Sequence, residues 1–228
     1  MTMGRRANIS PESKSDREKT ISEIIESENP GHIPIVVAGG KEYLVPVIQI
    51  PLDLPLYRID SSRTHDSQQL KISEGVYEEE LFTLPKESTK ESQQAQHDIL
   101  CDMAGEKGRD LFELFEKQNP AKDKYFIITR DGVLVNGNCR TATLREMTAR
   151  GEGRPEFRHI HVAVIQEPVS RTQMTDVEMS LQLKDRWQLD YDWIQLTTKA
   201  LLQINAGASE EEVKSYWTQF DLKGRLQA

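Results

Sequence analysis

The sequence predicts an α+β domain in which a small mixed sheet carries helices packed beside it. Three observations predict it: β-rich runs meet at short glycine-bearing turns, apolar residues elsewhere recur at three- and four-residue intervals, and one strand-like run passes directly into a helix-like one. The 228 residues suffice for one compact domain with appendages. Hydrophobic residues make up 37% and charged residues 29%, so part of the chain is expected to be loop, tail or exposed helix. Against 37 acidic side chains stand 29 basic ones, a net charge of −8, which argues against a surface that is basic throughout and leaves room for a local basic groove. No run approaches about 18 consecutive apolar residues and no secretory signal is recognisable, so the expectation is a cytoplasmic protein with no membrane partner. Cys101 and Cys139 form neither a CxxC pair nor a disulfide-rich pattern, which points away from structural zinc and from a stapled secreted scaffold.

Taken in order, residues 1–30 read as a flexible tail with one short helix, on the strength of the stripe Ile21, Ile24 and Ile25. Ile33 to Val37 and Tyr43 to Ile48 flank a Gly39-Gly40 turn and predict a hairpin. Prolines in "PLDLPLYRIDSSRT" exclude a central strand and place Arg58 and Arg63 on an irregular loop. Residues 66–122 are rich in Gln, Glu, Lys and Ser, with Ile99, Leu100 and Met103, then Leu111, Phe112, Leu114 and Phe115, at helical spacing; a helical insertion is expected. Tyr125 to Thr129 and Val133 to Val135 surround Arg130-Asp131-Gly132, a second hairpin signal. A helix is expected over 141–150, stopped by Gly151, and a third core strand over 160–165, ended by Pro168. Residues 169–228 form a C-terminal helical region, with helices near 175–186 and 192–205 and a capping box from Ser209 to Glu212.

The segment richest in chemistry is Asn136-Gly137-Asn138-Cys139-Arg140. A sharp turn from strand to helix leaves backbone N–H groups unpaired where the helix dipole favours an anion. Gly137 allows close backbone approach, Asn136 and Asn138 offer amides, and Arg140 lies in the first helical turn with a fork suited to phosphate. The plainer reading of the same residues is a glycine turn with Asn138 capping the helix.

The text "YFIITRDGVLVNGNCRTATLREM" resembles the ParB/sulfiredoxin-like superfamily, whose hallmark is a strand, an Asp-Gly-type turn, a second strand and a Gly-x-x-Arg helix start. "VPVIQIPLDLPLYRIDSSRT" resembles its opening strand and arginine-bearing loop, and "EMSLQLKDRWQLDYDW" its Glu- and Gln-containing helix, so the likeness runs from about Val45 to Trp193. The resemblance implies a ParB-like domain over 31–168 that binds a nucleoside triphosphate, CTP or ATP, with Mg²⁺. It implies that Gly137 and Arg140 hold phosphate within a turn completed by Asn136, Asn138, Cys139 and Thr141, with Arg58 and Arg63 on a second side. Asn138 stands where partition proteins have Glu and sulfiredoxins their reactive Cys, which disfavours sulfiredoxin chemistry; Cys139 replaces a partition-protein Arg, which bears on CTP selectivity. The later Glu-Asn-x-Gln-Arg run is matched loosely by Glu178, Ser180, Gln182 and Lys184. Glu178 and Gln182 are the candidates for positioning metal or water, with Glu178 as Mg²⁺ ligand. The expected function is a nucleotide-binding and hydrolysing module acting on or with DNA, in plasmid or phage partition or defence, with DNA and nucleotide as partners and a homodimer as assembly. The alternatives are a non-catalytic DNA- or protein-binding module of the same fold and a metal-dependent DNA nuclease.

Several residues carry two readings. Cys139 is either a thiol activated by the helix start or a small buried side chain. His159 and His161 face one side of a strand, as two metal ligands would, without an evident third. Asp131 could share a magnesium ion with Glu178 or serve only its turn. Trp187, Tyr191 and Trp193, beside Lys184 and Arg186, suit either base stacking and nucleic-acid contact or a helix junction. Arg58, Arg63, Arg130, Arg140, Arg145, Lys184 and Arg186 are expected to converge on one cleft and focus positive potential, or else to be scattered surface charges. The final helices resemble the entry to a helix-turn-helix domain.

Overall fold

The computed structural model describes residues 7–36, 42–105, 111–117 and 125–184, with side chains except those of Val36, Gln182, Leu183 and Lys184. The chain divides into two units, Met1–Pro34 with Leu44–Val169, and Ile35–Tyr43 with Ser170–Ala228. The fold is mixed α+β: a five-stranded sheet in the order β1-β2-β5-β3-β4, flanked by helices. The strands are β1 (His32–Val36), β2 (Glu42–Pro51), β3 (Phe126–Thr129), β4 (Leu134–Asn136) and β5 (His159–Ile165). β5 pairs antiparallel with β2 and parallel with β3, and β3 pairs antiparallel with β4. The apolar run from Val162 to Ile165 accounts for the central place of β5, since a strand flanked on both sides must be apolar on both faces.

The residues joining β1 to β2 lie outside the described part. The second hairpin is described in full: Gly132, at φ 79°, donates its N–H to the Thr129 carbonyl at 2.9 Å and closes the Asp-Gly turn.

The helices are α1 (Lys14–Glu28), α2 (Ser62–Ser73), α3 (Lys90–Ala104), α4 (Leu111–Lys117), α5 (Asn138–Arg150) and α6 (Arg171–Lys184). α1 is a 15-residue helix capped by Ser13, longer than the short stripe Ile21-Ile24-Ile25 implies. The extension is anchored by a polar residue that a hydrophobic stripe does not reveal: Arg17 is buried and donates to the Asp131 carbonyl at 2.9 Å. Where an insertion is expected, α2 and α3 stand with two short 3-10 turns between them, and α3 packs along α5. The core joins Ile48, Ile50, Phe126, Ile128, Ile160, Val162 and Val164 of the sheet to Leu100 of α3 and to Ala142, Leu144 and Met147 of α5.

Between β2 and α2 the chain is irregular but buried. Leu56 donates to the Gly132 carbonyl at 2.8 Å and accepts from the Leu134 N–H at 2.9 Å, so the loop rides on the edge strand β4. Ser62 already begins α2, which places Arg63 in a helical first turn instead of on the loop.

Candidate functional site

The passage from β4 into α5 is the candidate site. Asn136 ends β4, and Gly137 follows as N-cap of α5 at φ 103°, ψ 12°. A Cβ on Gly137 would lie 2.4 Å from Phe126 Cδ1, so the packing of the turn itself demands glycine. As N-cap, Gly137 supplies no side-chain cap to α5, whose first turn lies at the positive end of the helix dipole. Arg140 lies in that turn with its guanidinium 4.3 Å from the Phe126 ring centre, and its Nη2 donates to the Tyr125 carbonyl at 3.3 Å.

The other turn residues face inward. Asn138 Oδ1 accepts from the Arg58 N–H at 3.0 Å and ties the loop to the helix. Arg58 is wholly buried, its Nε 2.7 Å from Asp60 Oδ1. Cys139 and Thr141 are buried, and the Thr141 N–H donates to the Gly137 carbonyl at 2.8 Å. The structure thus brings Arg58, Gly137, Asn138 and Arg140 into one passage, with Arg63 at the start of α2.

Two of the seven cations expected at a common cleft are committed elsewhere. Arg145 is buried; its Nη2 donates to the Leu52 and Pro55 carbonyls at 2.9 and 2.7 Å, and its guanidinium lies 4.7 Å from the Tyr57 ring centre. Arg130 pairs with Glu18 of α1 at 3.6 Å. Arginine count alone overstates a cleft because the guanidinium is also the side chain best able to satisfy several buried carbonyls at once.

Glu178 is buried on α6 of the second unit, with Gln182 and Lys184 further along that helix. Arg186, Trp187, Tyr191, Trp193 and the helices expected after them lie outside the described residues. His159 and His161 are exposed on β5, in register with Pro51 and Gln49 of β2. Asp131 is held below its ordinary value: burial pushes it up, but the Thr129 hydroxyl and the Lys14 ammonium, 3.3 Å away, outweigh burial.

The polar interior around α3 went unread in the sequence. Gln93 Oε1 accepts from the Tyr57 N–H at 2.8 Å, and its Nε2 donates to the Tyr57 and Glu87 carbonyls. Gln96 Nε2 donates to the Arg58 carbonyl at 3.2 Å and to Thr64 Oγ1, while its Oε1 accepts from Gln68 Nε2. At the next position, His97 Nδ1 meets the Tyr57 hydroxyl at 2.9 Å and its Nε2 meets Glu146 Oε2 of α5 at 3.3 Å. Cys101 Sγ lies 3.5 Å from the same Nε2. Glu146 also accepts from the Ala7 N–H at 3.1 Å and from Arg150 Nε at 3.0 Å. Burial drives the His97 imidazole below its usual value, against the Glu146 hydrogen bond, and pushes the Tyr57 phenol up. A signal existed: positions 93, 96, 97, 100, 101 and 104 form a helical core stripe, but with two glutamines and a histidine on it the stripe does not read as apolar.

No protein-family model matches the chain, and searches of the curated proteins and of the solved structures return no match. Among the described residues no helix is long and apolar enough to cross a membrane.

Proposed function

We propose that the chain is a ParB-like nucleotide-binding module that works on or beside DNA. The observation that carries this reading is the start of α5: a left-handed Gly137, a first turn without a side-chain cap and Arg140 within it, directly after an edge strand of a mixed sheet. A helix N-terminus of this kind offers N–H groups and positive potential to a phosphate, and Arg140 adds a planar fork. The residues present fit a phosphate group. In this reading the first-turn N–H groups and Arg140 hold the triphosphate, Asn138 and Arg58 keep the adjoining loop in place, and Mg²⁺, carried with the nucleotide, supplies charge neutralisation. The resemblance offers Glu178 and Gln182, of the second unit, as candidates for positioning metal or water, and Lys184 and Arg186 for contact with DNA. A homodimer, CTP against ATP, and turnover belong to the same proposal.

A second reading, binding without turnover, is favoured by Asn138: its amide oxygen is engaged with the Arg58 N–H, where the partition proteins that the sequence resembles have a carboxylate. The deciding experiment is calorimetric titration with ATP, CTP, GTP and UTP in magnesium, with and without duplex DNA. Micromolar binding of one triphosphate, lost in Arg140→Ala while the circular dichroism spectrum is kept, supports the reading; absence of binding by the folded protein overturns it. Phosphate release then separates turnover from binding alone, and magnesium-dependent nicking of supercoiled plasmid without nucleotide would establish a nuclease instead.

A further inference from the structure

We propose that His97, Cys101 and Glu146 form a buried zinc-type metal site between α3 and α5, independent of the nucleotide reading. One ligand atom from each residue lies within 4.8 Å of the others, and all three side chains are buried. The separations fit a tetrahedral ion. Zn–N and Zn–O bonds of about 2.0–2.2 Å and a Zn–S bond of about 2.3 Å give N–O and N–S edges of about 3.4 and 3.5 Å at tetrahedral angles. His97 Nε2 stands 3.3 Å from Glu146 Oε2 and 3.5 Å from Cys101 Sγ. Two edges of the tetrahedron are therefore close to their bound lengths, and the third, sulfur to carboxylate, lies within 4.8 Å where a tetrahedral ion sets about 3.6 Å.

The surroundings suit a ligand set. His97 and Cys101 are four residues apart on α3 and share a face, while Glu146 reaches them from the facing helix, as ligands do in helix-bundle metal sites. The Tyr57 hydroxyl engages the ring nitrogen that a metal would leave over, which fixes the orientation of the imidazole. The Ala7 N–H and Arg150 Nε likewise hold the carboxylate. Thiolate, carboxylate and neutral imidazole balance a divalent cation, and a sulfur–nitrogen–oxygen set suits Zn²⁺ or Co²⁺ and not the Mg²⁺ of a nucleotide. Binding displaces the Cys101 thiol proton and the Nε2 proton that His97 directs at Glu146; one proton leaves to solvent and the imidazole retains the other. The proton of the neutral imidazole resides on Nδ1 in the bound form, donated to Tyr57 Oη. The ligands come from two helices, so the CxxC spacing by which zinc sites are recognised in sequence has no counterpart here.

The test is titration of the metal-stripped, reduced full-length protein with Co²⁺, followed by visible and near-ultraviolet absorption. One Co²⁺ per chain is expected, with tetrahedral d–d bands and a thiolate-to-cobalt charge-transfer band, both removed by Zn²⁺. Cys139→Ser leaves Cys101 as the sole thiol, and the charge-transfer band should persist in it. Cys101→Ser should abolish the band and weaken Co²⁺ binding at least tenfold. Absence of the band in the wild-type protein overturns the site, as does its loss in folded Cys139→Ser or its survival in Cys101→Ser. If Cys101→Ser does not fold, the wild-type and Cys139→Ser titrations decide the matter.

Discussion

Gly137→Ala is expected to destabilise the protein by about 2–5 kcal/mol, the sum of two costs. The backbone at φ 103°, ψ 12° is left-handed, where a Cβ crowds the following carbonyl and costs roughly 1–2 kcal/mol. The new methyl would also lie 2.4 Å from Phe126 Cδ1 and 3.2 Å from Cε1. Phe126 is fully enclosed and has no room to swing aside, and overpacking of this kind adds about 1–3 kcal/mol. The sum is a large fraction of the roughly 5–15 kcal/mol that stabilises a domain. Urea unfolding followed by circular dichroism measures it, and Phe126→Leu in the same background tests the cause. Removing the ring should recover part of the loss, so a double-mutant cycle should show favourable coupling of at least about 1 kcal/mol. A loss below about 1 kcal/mol, or strict additivity, would refute the packing argument. Gly137→Ala cannot test phosphate binding, since it disturbs the turn whether or not an anion sits there. Arg140→Ala is the cleaner substitution: a partly exposed stacking contact on Phe126 is worth only about 0.5–1 kcal/mol.

Other consequences follow from the buried polar contacts. Gln96→Ala removes buried hydrogen bonds to the Arg58 carbonyl, Thr64 and Gln68; their loss should cost about 1–3 kcal/mol, and an unchanged thermal midpoint would contradict that. For Asp131 the folded-state value is depressed, so the stability it contributes is present above the ordinary carboxylate value and lost as pH falls through the folded one. Wild type should therefore be more stable than Lys14→Met at neutral pH, with the gap closing below the ordinary carboxylate range. A gap that does not change with pH would show that the Lys14–Asp131 pair is not its source.

How much of this was legible depends on how each element is held. Strands β3, β4 and β5 and the start of α5 follow from local signals: Asp131-Gly132 between apolar runs, a continuous apolar run from Val162 to Ile165, and Gly137 before a helical pattern. α1 was underestimated because its buried anchor is Arg17, whose partner is a backbone carbonyl 114 residues away. α3 was legible as a helix but not as the helix beside α5, because its core stripe carries Gln93, Gln96 and His97. Gln93 and Gln96 can be buried because the irregular loop offers them backbone partners, and His97 because Tyr57 and Glu146 offer it side-chain ones; no periodicity in a single segment reports either. The arginines posed the converse problem: the sequence supplies charges, whereas the fold decides that Arg145 serves Leu52 and Pro55 and that Arg58 meets Asp60.

Tyr57 is where the two proposed sites come closest in the chain, and it allows them to be tested apart. Its backbone N–H and carbonyl are both held by Gln93, and the next N–H, of Arg58, is held by Asn138 at the start of α5. Its hydroxyl, by contrast, meets the His97 ring at 2.9 Å, with Arg145 as its other polar neighbour. Tyr57→Phe therefore removes the partner of the imidazole while leaving the loop's backbone anchors in place. Loss of an outer hydrogen bond of this kind typically weakens metal binding by about 10–100-fold, so Co²⁺ affinity should fall by that order with triphosphate affinity unchanged. A parallel fall in both would mean that the hydroxyl positions the loop as well as the ring, and the two sites would then have to be treated as one coupled unit.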